Sequence, residues 1–246
     1  MKLGFHINII GNSERLQLLK DTCATTLKAL HCMVLDLNFD NERPCVQPSM
    51  EQLKAFKKLR ELNLNISYVT DDLLEAFSSP DHCQMESIVI LCTCIEKAIE
   101  GEAWTTDAKW HRMKTHSPGL RVSICVYWPG MEIFQYVMKP VIPVHNLSIM
   151  CDDKTLSTRF GAYVANHFKG TLVSLELHSC TSMPLFDHGT TWSLDAQPLR
   201  FLVGQCQCLK KLVITGKNKM LWVFFSDQYL VTLDLVKNHW LLSAFL

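Results

Sequence analysis

The sequence predicts an α/β solenoid, a stack of short parallel strands with helical segments returning the chain between them. Three observations lead there. The first is a template of three apolar anchors, two variable residues separating the first pair and one the second. It reads Leu59-x-x-Leu62-x-Leu64, Met85-x-x-Ile88-x-Ile90, Val144-x-x-Leu147-x-Ile149, Leu172-x-x-Leu175-x-Leu177, Leu209-x-x-Leu212-x-Ile214 and Leu230-x-x-Leu233-x-Leu235, with looser copies at Cys32-x-x-Leu35-x-Leu37 and Leu120-x-Val122-x-Ile124. Alternating apolar residues over so short a run mark a half-buried strand. The second is the period. The gaps between Leu35, Leu62, Ile88, Val122, Leu147, Leu175, Leu212 and Leu233 are 27, 26, 34, 25, 28, 37 and 21, mostly near the period of about 20–29 residues of leucine-rich repeats. The third is the helical spacing that follows each strand. The expected architecture is a leucine-rich-repeat horseshoe of about seven to eight irregular repeats, one domain over residues 1–246.

Each element has its own justification. Residues 1–28 are expected to hold a lead-in helix, with helical spacing over Leu16–Leu30. After the Leu59–Leu64 strand, Thr70, Asp71 and Asp72 supply oxygens for a helix start, and Asp72 with Glu75 has capping-box spacing. Acids in a first turn also complement the helix dipole, so Asp71-Asp72 reads as a helix start rather than a divalent-ion pair. Further helices are predicted at Asp107–Lys114, Glu132–Met138, Thr155–Phe168 and Leu199–Gln205. Ser117-Pro118-Gly119, Pro140 and Pro143 punctuate the approaches to strands. Residues 182–198 read as an insertion loop and account for the longest gap. Residues 217–246 form an atypical last repeat or tail, more apolar than the polar cap a solenoid needs.

Composition narrows the function classes. Lysine plus arginine equals aspartate plus glutamate, 24 against 24, which gives no reason to expect nucleic acid or an acidic membrane as partner. The eleven cysteines are scattered and are read as reduced, small hydrophobes. The start, Met1–Ile10, is too short and interrupted an apolar run for a secretory signal, and no stretch reaches the roughly 18 apolar residues of a membrane span. Cytoplasm or nucleus is the expected compartment. The sequons Asn65-Ile66-Ser67 and Asn146-Leu147-Ser148 are read as chance matches.

No catalytic signature occurs: no Gly-x-Ser-x-Gly elbow, no phosphate-cradling Gly-x-x-x-x-Gly-Lys loop, no His-Glu-x-x-His. Cys92-Thr93-Cys94 and Cys206-Gln207-Cys208 lie too far apart to be matched halves of a zinc site. Histidines such as His111, His116, His145 and His178 lack partner spacing for acid–base work and are read as surface or helix-end residues, and the tryptophans as core. The expectation is a non-enzyme with no metal and no cofactor.

The functional content then lies between the apolar anchors. In a stack of parallel strands, alternate residues point away from the core onto a concave sheet. The candidate partner-binding positions are Glu61, Asn63, Asn65, Arg121, Ser123, Asn146, Ser174, Glu176, His178, Lys211, Thr215 and Asp234, with Ser87, Val89, Ser148, Val213 and Thr232 in the same pattern. They are mixed in sign and only mildly apolar, which suits a protein or peptide partner.

The run Leu59–Phe77, with its Val69-Thr70-Asp71 turn between strand and helix, resembles the repeats of F-box proteins. Trp110-His111-x-Met113 followed by Ser117-Pro118-Gly119-Leu120-Arg121-Val122 is similar to their junction of helix, serine or cysteine, proline and leucine-arginine. Met138-Lys139-Pro140 with Ile142-Pro143 before the Val144–Ile149 strand adds to the likeness. It spans roughly Leu27 to Gly216 and is nearest to the branch typified by F-box only proteins 33 and 39. The resemblance implies the substrate-recognition part of a Skp1-cullin-F-box ubiquitin ligase, in which the F-box docks on the adaptor Skp1 and the repeats capture the target. Met1–Lys28 does not match an F-box, so Skp1 and cullin are expected as partners only of a form that carries one. The alternative is a free-standing leucine-rich scaffold or inhibitor.

Overall fold

A computed structural model describes residues 17, 21, 29–31, 50–92, 105–127, 131–151, 158–179, 196–216, 219–226 and 229–236; at 29–31, 127, 131–133, 151, 158, 179, 196–200, 215–216, 219–226 and 229–236 it describes the backbone course alone. The chain divides into two compact units, Met1–Val122 and Ser123–Leu246.

In the first unit three strands, β1 (Ala29–His31), β2 (Glu61–Asn65) and β3 (Ser87–Cys92), pair in parallel. Leu30, Leu62 and Ile88 share one register row, and Leu64 pairs with Ile90. Between the strands run α1 (Met50–Lys54), a 3-10 turn at Ile66–Tyr68, α2 (Asp71–Phe77) and α3 (Asp107–His116). The strand β4 (Arg121–Tyr127) begins at the end of this unit. Its first residue is tied backward, the Arg121 N–H donating to the Glu86 carbonyl at 3.1 Å, as the Glu86 and Ser87 N–H groups donate to Arg60.

The second unit repeats the pattern. Its helices are α4 (Met131–Val137), α5 (Thr158–Phe168) and α6 (Ala196–Gln205), and its parallel strands are β5 (Val144–Cys151), β6 (Ser174–Ser179) and β7 (Lys211–Gly216). Leu147, Leu175 and Leu212 share a row, as do Ile149, Leu177 and Ile214. Parallel strands joined by helical crossovers at the repeat period are the build of an α/β leucine-rich-repeat solenoid.

The anchors of the template form the core. Leu59, Leu62, Leu64, Met85, Ile88, Ile90, Val144, Leu147, Ile149, Leu172, Leu175, Leu177, Leu209, Leu212 and Ile214 are all buried, as are Leu120, Val122 and Ile124 of the looser copy. The helices close over them with Leu73, Leu74 and Phe77 from α2, Trp110 and Met113 from α3, Phe134 and Val137 from α4, and Phe160, Val164 and Phe168 from α5. Each such side chain contributes about 1.5–3 kcal/mol by leaving water.

Several expectations need correction. The last template copy, Leu230–Leu235, is not a parallel repeat. It lies on β9 (Tyr229–Val236), which runs antiparallel to β8 (Lys219–Ser226), itself antiparallel to β7. Only Lys217 and Asn218, then Asp227 and Gln228, separate these strands, and connections that short permit hairpins but no crossover to a parallel strand. Within Leu16–Leu30, Gln17 and Asp21 are helical, with a 3.0 Å hydrogen bond between their side chains, but Ala29 and Leu30 already belong to β1. The looser copy Cys32–Leu37 lies outside the described residues, and Leu30 instead takes the row position beside Leu62. The helix α1 is an addition to the expected elements, and α6 begins at Ala196, with Pro198 tolerated in a first turn that has no intrahelical partner for its missing N–H. Most of 182–198 and the tail after Val236 lie outside the described residues.

The start of α2 shows how local chemistry sets a boundary. Thr70 has extended backbone and its hydroxyl accepts the Leu73 N–H at 3.2 Å, making Thr70 the N-cap. The Asp72–Glu75 capping box therefore does not form. Instead Asp71 reaches the next repeat, where its carboxylate accepts from the Thr106 N–H (2.7 Å) and hydroxyl (2.9 Å) at the start of α3. Glu75 takes Lys109 at 2.6 Å and Arg112 at 3.3 Å, and these cations hold its carboxyl below the usual range, the Lys109 hydrogen bond most of all. Thr70→Ala is expected to cost about 1 kcal/mol in a urea unfolding experiment, a loss Thr70→Ser restores in large part.

Candidate functional site

The strand faces carry the candidate residues because a strand turns alternate side chains to opposite sides. On β2, Leu62 and Leu64 are buried while Glu61, Asn63 and Asn65 are partly exposed. Glu61 sits in register with Ser87 and Asn63 with Val89. Asn65 is committed to a turn: its Oδ1 accepts the Ser67 N–H at 3.2 Å and the Ser67 hydroxyl at 3.3 Å, starting the 3-10 helix. Arg121 is exposed at the head of β4.

The second unit presents the better-connected group. Asn146 is exposed and donates from Nδ2 to the Ser123 hydroxyl at 2.8 Å. Asn146, Ser174 and Lys211 share one row; Ser148, Glu176 and Val213 the next; Met150, His178 and Thr215 the third. Glu176 is the centre. Its Oε1 lies 2.5 Å from Lys211 Nζ and its Oε2 3.6 Å from His178 Nε2. These side chains are about one-third exposed, Glu176 and His178 at 30% and Lys211 at 31%, so the pairs are wet and adjustable rather than locked.

Two positions of the pattern are not presented to solvent. Ser174 is 8% exposed, a small residue between the longer Asn146 and Lys211 on neighbouring strands. Val213 is 2% exposed, between Glu176 on β6 and the Trp222 position on β8. Thr215 and Asp234 are placed by backbone only, Thr215 beside Met220 and Asp234 beside Trp222 on the antiparallel hairpin.

Cys125 is a residue the sequence reading misses. It follows Ser123 by two residues on β4 and so falls in the same alternation; it is only partly covered, and burial, then the Glu176 charge, push its thiol up to about 11. Reading cysteines only as small hydrophobes hides it, although the period of two is enough to find it. Cys83, Cys125, Cys206 and Cys208 are reduced thiols, none of them in a disulfide.

Among the described residues no three His, Cys, Asp or Glu side chains gather where they could hold a metal ion, and no helix is long and apolar enough to cross a membrane. A hollow of about 280 Å³ in the first unit is lined by Arg60, Gln84, Met85, Glu86 and Gly119. Its two charges already pair, Arg60 Nη1 to Glu86 Oε1 at 2.7 Å. Of the tryptophans read as core, Trp110 is fully buried, while Trp104, Trp128 and Trp192 lie outside the described residues.

The parallel strands carry apolar anchors inside and a mixed polar row outside. The chain is similar to an F-box/leucine-rich-repeat protein. Human F-box/LRR-repeat protein 8 is 29% identical over 143 residues, which take in 55% of this chain and 36% of that protein. The chain thus matches about a third of its relative's length. No family model matches. Among solved structures, the leucine-rich repeat-containing protein LegL7 of Legionella pneumophila is 11% identical, covering 85% of this chain and 63% of its own, with a TM-score of 0.43.

Proposed function

We propose that this chain is a protein-binding leucine-rich-repeat module, the target-recognition part of a Skp1-cullin-F-box ubiquitin ligase receptor, and not itself an enzyme. The observation that carries the reading is the similarity to human F-box/LRR-repeat protein 8, joined to the F-box-like Val69-Thr70-Asp71 turn. In this reading the repeats supply proximity and a recruited partner performs the transfer, so the module needs no cofactor, and its place is the cytoplasm or nucleus. Target contact falls on the strand faces: Glu61, Asn63 and Arg121 in the first unit, and Ser123, Asn146, Glu176, His178 and Lys211 in the second, with Thr215 and Asp234 at the flank and Ser174 and Asn65 in supporting places.

Two results test this. A longer form that carries an F-box is expected to copurify with Skp1 and cullin, whereas this chain alone is not; if the longer form never retains Skp1, the ligase reading fails and a free-standing leucine-rich scaffold or inhibitor takes its place. The face is tested separately with Asn146→Arg combined with Lys211→Glu, which sets two carboxylates side by side at Glu176. Capture of a target identified by crosslinking to this face is expected to weaken roughly tenfold or more, with the circular dichroism spectrum unchanged. Undiminished capture by that folded double variant would remove the second unit's face from the proposal.

A further inference from the structure

The joint linking successive repeats of the first unit is built on histidine. His82 stands six residues before the core Ile88, and His116 six before Val122; Phe56, six before Leu62, holds the same place one repeat earlier. His82 Nε2 lies 3.0 Å from the Phe56 carbonyl, and His116 Nε2 lies 3.1 Å from the His82 carbonyl. Each imidazole therefore reaches back to the main chain of the repeat before it. One residue further on the pattern holds again: the Cys83 thiol donates to the Leu59 carbonyl at 3.2 Å, and the Ser117 hydroxyl accepts the Met85 N–H at 2.9 Å. Leu59 and Met85 are the first anchors of their templates.

His82 is 4% exposed and packs against the Phe77 ring, centroids 4.8 Å apart. Its Nδ1 lies 2.7 Å from the Cys83 carbonyl, so both ring nitrogens face oxygens that only accept. A neutral imidazole has one N–H to give. One ring nitrogen therefore donates to its carbonyl, and the other turns a lone pair toward the second carbonyl. A second proton would complete the remaining bond but would bury a positive charge. The groups facing the ring, Lys57 from the turn after α1 and His116 from the end of α3, oppose that charge. In its own loop, Cys83 contributes the carbonyl contact and Asp81 is exposed.

We propose that His82 is a proton-sensitive latch between repeats, seated when neutral and loosened by acid. Burial foremost, then Lys57 and His116, outweigh the two carbonyl contacts and hold the ring below the usual histidine value. The sign follows. The unfolded chain takes up this proton at the ordinary value, the folded chain only at lower pH, so the unfolded state binds more protons in between. The latch contributes fully above about pH 6.5, the ordinary histidine value, and its contribution is lost as pH falls below that value and through the lower value of the folded state.

The test uses the full chain. Urea unfolding is followed at about pH 7.5 and about pH 5.5, either side of the ordinary histidine value, for wild type, His82→Gln, which keeps a donor but cannot titrate, and His82→Phe, which copies the Phe56 rung. On acidification the wild-type folding equilibrium is expected to lose roughly three- to tenfold more than that of either variant. The His82 Cε1–H resonance, titrated by NMR in the wild type, is expected to move at a pH below the usual histidine midpoint. Equal acid sensitivity in wild type and a folded variant overturns the latch. So does a His82 resonance that titrates at or above the usual value, and this second measurement stands even if neither variant folds.

Discussion

Trp110→Ala is expected to lower the stability of the first unit by about 3–5 kcal/mol, the range for deleting a large aromatic side chain from a packed interior. Trp110 lies at 0% exposure on the inner face of α3 and is among the largest fully buried side chains. Two terms add. The indole's apolar area returns to water, and the cavity left behind closes only in part because the strand anchors beneath it are themselves held in register. The indole Nε1–H also donates to the buried Thr105 hydroxyl at 2.9 Å, fixing the residue pair that leads into α3. Trp110→Phe separates these contributions, since it keeps most of the volume and loses the donor. Urea unfolding should rank the proteins wild type, then Trp110→Phe, then Trp110→Ala. A Trp110→Ala midpoint within error of wild type would mean that α3 does not close the core.

The second large effect is expected in the second unit from Phe134→Ala, again about 3–5 kcal/mol. Phe134 on α4 is fully buried and meets Phe160 and Tyr163 of α5, with ring centroids 4.9 and 5.7 Å away. Such pairs contribute about 0.5–1.5 kcal/mol beyond the area they bury. Tyr163 is anchored in turn by its hydroxyl, which donates to the Met138 carbonyl at 2.5 Å, and it stacks edge-on with His167. Truncating Phe134 therefore strips the support from one side of a connected aromatic group. Phe134→Leu, which refills part of the space, is expected to recover at least half of the loss. The readout is again the urea midpoint, with near-ultraviolet circular dichroism reporting the tyrosine's environment.

The fold was legible because its signal is repeated. One Leu-x-x-Leu-x-Leu run is weak, but the run returning from Leu59 to Ile214 fixes both the strand period and the crossover period, and every anchor in that span is buried. The same reading failed at Leu230–Leu235, where the apolar spacing of a repeat sits on an antiparallel hairpin. Spacing alone does not report strand direction, and the two-residue links before β8 and β9 were the overlooked signal. The candidate face was legible as an alternation, and Glu176, Lys211 and Asn146 stand on the exposed or partly exposed side of it. What alternation cannot show is which positions are spent on local chemistry. Asn65 caps a turn, Ser174 is overshadowed by its row neighbours, and Val213 is covered. The links between repeats were not legible at all. Asp71 reaching Thr106, Ser117 receiving Met85, and His116 reaching His82 join residues 32 to 35 positions apart, and no local pattern announces such partners.

The histidine links among these are counted backward from the strand that follows them. The repeat ending at Ile88 is 26 residues long and the one ending at Val122 is 34, yet His82 and His116 keep the same offset of six. The eight extra residues (34 less 26) enter upstream of the joint and leave the offset of the histidine contacts unchanged. A chain built this way can lengthen or exchange the stretch between strand and helix and still close on its neighbour. New surface can thus be grafted onto individual repeats without renegotiating the scaffold that carries them.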